Sequence, residues 1–299
     1  MTATSRHALR IIVATAIALT SIACGGGAPS PPVASVSLSI SKPRLPLGAP
    51  VDITYRFELL PSASITGDYR VLVHVKNAAG DVLWQDDHDP PQPTSTWKPG
   101  QAVEYTRTRF VPVVPYLGDA TIEVGLYRED ERLALQGPSA PSEGETLSKS
   151  YRLGTLHLLP TSESVFVIYK TGWHPDEFSP DNPSVSWKWM QKTGVLSVRN
   201  PRKDVMLFLE YDARPDLFAD GPQQVTIAVG DQPVTTFVAS ALTPALVRVP
   251  ITAAQLGAAD MTDIRIELDK TFVPAKLPAG GRDSRELGMR VYHVFVEER

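Results

Sequence analysis

Aromatic, acidic and basic side chains meet in the segment 173–189, and their types suit the recognition of a sugar. A sugar ring presents a face of C–H groups and a rim of hydroxyls, so it is held by a flat aromatic surface beside carboxylate, amide or guanidinium groups. This segment holds three of the five tryptophans of the chain. A second polar run, at 282–286, adds further charged groups if the fold brings it close. The candidate glycan-binding residues are therefore Trp173, His174, Glu177, Arg285 and Glu286.

The tryptophans of this segment also admit a second interpretation. Trp187 and Trp189 are two residues apart, and side chains at that spacing on a β-strand point to the same face. Their rings can therefore fill a core beneath a loop instead of contacting a ligand. The sequence leaves open whether the segment 173–189 is a binding site or part of the core.

Catalytic motifs are absent from the sequence: there is no G-x-S-x-G, no H-E-x-x-H and no phosphate-binding glycine loop. Glu177 and Asp283 are of the type that forms a glycosidase pair, which requires carboxyl groups roughly 5 to 10 Å apart, but they are distant in the chain. The acidic run 86–89 alternates between the two faces of a strand, unlike a calcium-binding loop. We therefore expect a non-catalytic protein with no metal and no cofactor.

Cys24 is the only cysteine of the chain, and it follows a segment typical of an export signal. Basic residues precede an apolar stretch at 11–19 that is too short to span a bilayer. The residues before Cys24 resemble a lipobox, except that Ser21 occupies a position where the family usually has leucine. The resemblance implies cleavage of a signal peptide at 1–23 and a lipid on Cys24. The alternative is an ordinary secreted protein that is cut nearby.

Both interpretations place the mature chain outside the cytoplasm, and a lipid would hold it in the cell envelope. Gly25, rather than aspartate, follows the cysteine, which favours the outer membrane if the source has two membranes. The net charge is −4, from 29 Lys and Arg against 33 Asp and Glu, so the chain has no electrostatic footprint for nucleic acid. The expected partners are the membrane, through the lipid, and a polysaccharide or an envelope protein.

Apolar and polar residues alternate with a period of two in many short segments after residue 33, for example at 36–40 and 51–57. This period is typical of β-strands with one buried face, and Pro, Gly, Asn and Asp clusters separate the segments. The pattern predicts an all-β protein of two β-sandwich domains in tandem. The predicted divisions are a tether at 24–32, an immunoglobulin-like sandwich at 33–136, a linker at 137–149, and a jelly-roll, galactose-binding-like sandwich at 150–299.

Two features of the second domain are predicted in more detail. Residues 252–256 form one helical turn, with Thr252 as its N-cap and Gly257 as its stop. The closing segment 287–296 is apolar at nearly every position, which is typical of a central strand covered on both faces.

Scattered aromatic and turn residues give the chain a resemblance to known β-sandwich modules. They include Pro90, Pro91, Trp97, Gly125 and Tyr127 in the first half, and Gly172, Trp173, Trp187, Trp189, Asn200 and the run 283–288 in the second. The two halves resemble the immunoglobulin-like and galactose-binding-like accessory modules of bacterial envelope glycosyltransferase-type proteins. The resemblance implies a fold and a place in the envelope, and it implies no reaction.

Two functions remain open from these observations. In the first, the chain is a non-catalytic envelope lipoprotein associated with surface polysaccharide, which contacts a glycan through its second domain while the first domain acts as a spacer. In the second, it is a structural lipoprotein that docks a protein partner and has no sugar site.

Overall fold

The alternating segments fold into β-strands that build two sandwiches in tandem, in a computed structural model that describes residues 30–138, 140, 143–278 and 280–299. The strands of the first sandwich are β1 (Ala34–Ile40), β2 (Arg44–Pro46), β3 (Pro50–Leu59), β4 (Arg70–Lys76), β5 (Val82–Gln85), β6 (Ala102–Phe110), β7 (Gly118–Arg128), β8 (Glu131–Leu133), β9 (Leu135–Gln136) and β10 (Tyr151–Leu159). A short helix, α1 (Glu143–Ser148), precedes β10. The predicted all-β fold class is confirmed.

The first sandwich has the strand order of an immunoglobulin-type domain. One sheet runs β6-β3-β1-β9 and the other runs β2-β10-β7-β4-β5, with β8 paired to β7. These orders correspond to strands E-B-A and A′-G-F-C-C′ of immunoglobulin sandwiches, and β10 is strand G. The alternation of β3 explains its place, because Ile53, Tyr55 and Phe57 all point into the core and are at most 4% exposed.

Strand β10 belongs to the first sandwich, so the boundary between the domains differs from the predicted one. It pairs antiparallel with β7 and parallel with β2, and its Leu156 and Leu158 are buried in the first core. The segment 137–149, predicted as the linker, therefore connects two strands of the first sandwich, and the division falls after Leu159. Composition could not make this distinction, because a surface connection within a domain and a linker between domains are equally polar.

The second sandwich has a jelly-roll strand order, as predicted. Its strands are β11 (Val167–Tyr169), β12 (Trp173–Phe178), β13 (Ser186–Met190), β14 (Thr193–Arg199), β15 (Val205–Asp212), β16 (Gln223–Val229), β17 (Gln232–Ala239), β18 (Ala245–Ile251), β19 (Met261–Leu268) and β20 (Arg290–Glu298). One sheet runs β12-β13-β20-β15-β18 and the other runs β11-β14-β19-β16-β17. The strands from β13 to β20 follow the two four-strand orders of a jelly roll, and β11 and β12 extend one edge of each sheet.

The first of the two detailed predictions for this domain agrees with the structure, and the second agrees in part, because the closing strand begins only at Arg290 and its His293 is exposed. Helix α2 (Ala253–Leu256) begins with a capping box between Thr252 and Gln255, and it ends at Gly257, whose φ is +73°. Strand β20 lies at the centre of its sheet, between β13 and β15.

The sandwiches meet through the outer face of the sheet that contains β20. Phe208 and Phe295 are cross-strand neighbours on β15 and β20, and both are buried in the core of the first sandwich instead of their own. Phe110 of the first sandwich stacks on His293 with ring centres 4.5 Å apart. The junction is therefore a packed apolar contact.

No helix in the described part of the chain is long and apolar enough to cross a membrane. Cys24, the predicted lipidation site, and the predicted signal peptide at 1–23 lie outside the described residues.

Candidate functional site

The outer face of the β12-β13-β20-β15-β18 sheet continues beyond the junction as a cluster of aromatic and charged side chains. Glu177 on β12 lies opposite Trp187 on β13, and Trp189 lies opposite Arg290 on β20. Directly opposed residues share a face of the sheet. Their neighbours along the strands, such as Met190 and Val291, point into the core. We call Glu177, Trp187, Trp189, Arg290 and Tyr292 the aromatic face.

Arg290 is the centre of the aromatic face. Its guanidinium carbon lies 4.9 Å from the ring centre of Trp187, 5.6 Å from that of Trp189 and 5.7 Å from that of Tyr292. Each distance lies within the range of a cation–π contact. The cation thus holds the aromatic side chains of two strands in one group.

Asp212 fixes Arg290 from the next strand. This carboxylate is 1% exposed and accepts two hydrogen bonds from the guanidinium, one of them from Nε at 2.7 Å. It also accepts a hydrogen bond from the hydroxyl of Tyr292 at 2.8 Å. Burial raises the pKa of Tyr292, and the bond to Asp212 adds to the shift. The phenol therefore remains a neutral donor.

Arg285 links two carboxylates at the edge of the aromatic face. Its Nη2 lies 2.8 Å from Oε1 of Glu177 and 2.7 Å from Oδ2 of Asp283. Hydrogen bonds from the side chain and the backbone of Arg285 lower the pKa of Asp283 to about 2. Asp283 is consequently ionised at neutral pH, and the group of three side chains presents hydrogen-bond donors and acceptors beside the rings.

His174 and Glu286 lie at the same edge. Nε2 of His174 donates to the carbonyl oxygen of Glu286 at 2.8 Å. The Glu286 carboxylate accepts a hydrogen bond from the hydroxyl of Thr271 at 2.8 Å. Four of the five residues predicted from the sequence, His174, Glu177, Arg285 and Glu286, are therefore brought together.

Trp173, the fifth predicted residue, turns away from this cluster. Its indole N–H donates to the carbonyl oxygen of Val195 at 3.0 Å, and its ring meets Tyr169 edge-on at 4.9 Å. Gly194 leaves room for the ring, because a Cβ there would lie 2.7 Å from it. Trp173 thus packs across the sandwich against the opposite sheet.

Sequence reasoning missed Asp212, Arg290 and Tyr292. The one signal it had was the shared face of Trp187 and Trp189, which the structure places on the outer side of the sheet. Trp187 carries a further feature: its indole Nε1 is buried and has no acceptor among the described residues. An unsatisfied buried donor is uncommon in a folded protein and calls for an explanation.

The described residues include no group of three or more His, Cys, Asp or Glu side chains that could hold a metal ion. In the acidic run 86–89, Asp86 pairs with Arg109 at 2.9 Å and His88 lies 2.8 Å from the hydroxyl of Tyr105. These partners account for the run within the fold.

Comparisons with known proteins give no family for the chain. No protein-family model matches it, and no curated protein matches it in sequence. Among solved structures, it is similar to a beta-glucuronidase of Bacteroides uniformis, with 12% identity and a TM-score of 0.30 over 88% of this chain and 30% of that one. The CBM51-2 and INT domains of ZmpB from Clostridium perfringens give 6% identity and a TM-score of 0.25 over 62% of this chain and 38% of that one.

The collagen adhesin of S. aureus gives 9% identity and a TM-score of 0.19 over 90% of this chain and 97% of that one. The chain spans less than a third of the length of the glucuronidase. Because all of these TM-scores are low, none of the similarities assigns a function to the chain.

Proposed function

We propose that the chain is a non-catalytic protein of the bacterial cell envelope, held by a lipid on Cys24, that binds a surface polysaccharide through the aromatic face of its second sandwich. The observation that carries the proposal is the grouping of Trp187, Trp189 and Tyr292 around Arg290, beside the Arg285 ion pairs. Sugar rings need an aromatic surface with polar groups at its rim, and this face offers both.

The polar groups of the face suit recognition because they are held in place. Arg285 and Arg290 are each fixed by carboxylates through more than one hydrogen bond. Paired guanidinium groups retain N–H donors that face outward, and they lose little side-chain freedom when a ligand binds.

The ion pairs of Arg285 argue against hydrolysis with Asp283 as the proton donor. A glycosidase requires one carboxyl group that is protonated near neutral pH, with its pKa raised by its surroundings. Glu177 and Asp283 are brought close by Arg285, but the pKa of Asp283 is lowered to about 2. Asp283 therefore cannot act as the proton donor of such a pair, and we propose binding without cleavage.

The first sandwich suits the role of a spacer. The chain enters it at Ala34, beside the end of β3 at Leu59. The opposite end of the sandwich meets the second sandwich, where Lys42 pairs with Glu297. The 10 residues of β3 connect these two ends, a span of about 33 Å. The chain that leads from Cys24 thus joins the first sandwich at the end opposite the junction.

Binding of the soluble mature chain to an array of bacterial polysaccharides tests this proposal. We expect selective binding that Trp187→Ala weakens at least about tenfold. The stacking of one nucleic-acid base on an aromatic side chain contributes on the order of 1–3 kcal/mol, and we expect a sugar ring to lose a comparable contact. Val238→Ser, at an exposed position of β17, is the matched control and keeps full binding. No binding to any polysaccharide, or equal binding by Trp187→Ala, would contradict the proposal.

A further inference from the structure

Strand β20 has an open edge over residues 292–295. On one side it pairs with β15 along nearly its whole length. On the other side β13 pairs with it only at Val291 and Arg290, and no other described strand takes the place of β13 beyond that point. Backbone N–H and C=O groups that face away from β15 are therefore left without a strand partner. Such an edge is a template for a further strand.

A cleft of about 680 Å³ lies along this open edge. Residues 292–295 form one wall, and the segment 161–169 forms the other. Leu47 and Val113 of the first sandwich close one end. The volume is within the range of protein ligand sites. The cleft therefore has room for a short stretch of extended chain beside β20.

The side chains around the cleft combine apolar and polar groups with one cation, Arg199. Phe166 is 59% exposed and Ile168 is 42% exposed on the segment that forms the far wall. Arg199 also lines the cleft, and no carboxylate among the described residues pairs with its guanidinium. His293, by contrast, is paired: its Nδ1 lies 2.7 Å from Oε2 of Glu210. An occupant of this cleft thus meets apolar surface and one unpaired positive charge.

We propose that the cleft binds an extended peptide segment of a protein partner, which adds a strand to the open edge of β20, buries alternate apolar side chains against Phe166 and places a carboxylate on Arg199. Main-chain hydrogen bonds to β20 provide affinity in this mode of recognition, and the flanking side chains provide specificity. The cleft shares Tyr292 with the aromatic face, but its other lining residues lie outside that face, and the proposal goes beyond glycan binding.

The tether of the chain itself does not fit as the occupant. Residues 25–32 span at most about 28 Å when fully extended. They would need to run back along the whole first sandwich, whose β3 spans about 33 Å between Leu59 and the cleft end near Gly48. Nothing would remain to fill the cleft, so residues 25–32 are not the occupant.

A displayed library of random heptapeptides, selected against the mature chain, tests the proposal. We expect enriched peptides in which apolar residues alternate and one residue is acidic. Arg199→Glu should weaken their binding at least about tenfold, because it replaces attraction by repulsion at one charge. Phe166→Ser should weaken binding as well, and N-methylation of alternate peptide amides should abolish it. Val238→Ser, on the opposite edge strand of the other sheet, is the matched control and keeps binding.

Amide hydrogen exchange gives the second readout, because a paired peptide must slow exchange at residues 292–295. The proposal is overturned if no peptide is enriched over the Arg199→Glu variant, or if N-methylated peptides bind as well as their parents. Occupation of the cleft by a sugar or a fatty acid in place of a peptide would also overturn it. Polysaccharide binding by Arg199→Glu stays intact under the glycan proposal, so failure of one proposal is distinguishable from failure of the other.

Discussion

His88 is a buried residue whose protonation state is set by its two neighbours. Its Nδ1 lies 2.7 Å from the carbonyl oxygen of Asp86, which can only accept, so Nδ1 carries the hydrogen. Its Nε2 lies 2.8 Å from the hydroxyl of Tyr105 and can accept from it. Burial is the main cause that lowers the pKa of His88, and Arg107 adds to the effect. The fold therefore holds His88 neutral.

This state predicts a loss of stability in mild acid. The unfolded chain binds a proton at His88 with a pKa of about 6.5, while the folded chain resists it. As the pH falls below about 6.5, the free energy of unfolding should therefore fall, by up to about 1.4 kcal/mol per pH unit for one proton. His88→Gln should flatten the dependence between pH 7 and 5 in urea titrations. His157→Gln, at an exposed position, is the control, and an equal flattening there would contradict the account.

Gly194 tests the position of Trp173. A Cβ at residue 194 would lie 2.7 Å from the Trp173 ring, so Gly194→Ala forces the ring to move. We expect a loss of about 1–3 kcal/mol in the free energy of unfolding, as for other overpacked sites. Combining it with Trp173→Leu should recover part of the loss. Gly144→Ala should cost nothing, because an added Cβ there meets no described atom within 4 Å outside the local helix backbone. Equal stability of the two alanine variants would contradict the packing role of Trp173.

At the residue scale, the sequence predicted some of the side chains that come together and missed others. The polar candidates meet because the segment before β20 lies beside β12, with Arg285 at Glu177 and Glu286 at His174. No local pattern in the sequence encodes this contact. Trp173 was predicted as a ligand contact but packs inward. A bulge between Trp173 and Asp176 breaks the alternation of β12, so that counting from one residue to the next gives the wrong face.

At the element scale, β10 makes a prediction about cleavage at 137–149. Polar stretches of this composition are preferred sites of nicking by proteases. Because β10 pairs with β7 from Tyr151 to Leu158, the nicked fragments should remain associated. Native size-exclusion chromatography should show one species, and a denaturing gel should show two. Release of a free fragment that begins near residue 150 would contradict the assignment of β10 to the first sandwich.

Elements were largely readable from the sequence because one face of most strands is buried. Alternation identified β1 and β3, and Thr252 with Gly257 marked the bounds of α2. The sequence did not show which sandwich contains β10, because strand partners are set by contacts between residues far apart in the chain. Ala34 pairs with Leu135, and Tyr151 pairs with Val124, and neither pairing is visible in the sequence around either residue.

At the scale of the whole molecule, the junction predicts that the sandwiches stabilise one another. Phe295 is 8% exposed and belongs to the second sandwich by sequence but to the first core by contact. Phe295→Ala should cost about 3–5 kcal/mol and should separate the unfolding of the two sandwiches in calorimetry. Phe178→Ala, at a 61% exposed ring, should change little. A single unchanged transition in Phe295→Ala would contradict a packed junction.

The sequence predicted two sandwiches in tandem. It did not predict that one sheet of the second sandwich both contacts the first sandwich and carries the aromatic face. The outer face of the β12-β13-β20-β15-β18 sheet is covered by the first sandwich at Phe208 and carries the aromatic face at Arg290. An apolar run such as β20 indicates that both faces are covered, and it does not say by what.

The most direct measurement of the central claim is the response of the indole N–H resonances to a polysaccharide fragment in a nitrogen–proton NMR correlation spectrum. The indoles of Trp97 and Trp173 donate to backbone carbonyls within the fold, at 3.0 Å each, whereas Nε1 of Trp187 has no acceptor among the described residues. Glycan binding at the aromatic face predicts that the Trp187 and Trp189 resonances shift with the fragment while those of Trp97 and Trp173 stay in place. A fragment that binds and leaves the Trp187 and Trp189 resonances unmoved would contradict it.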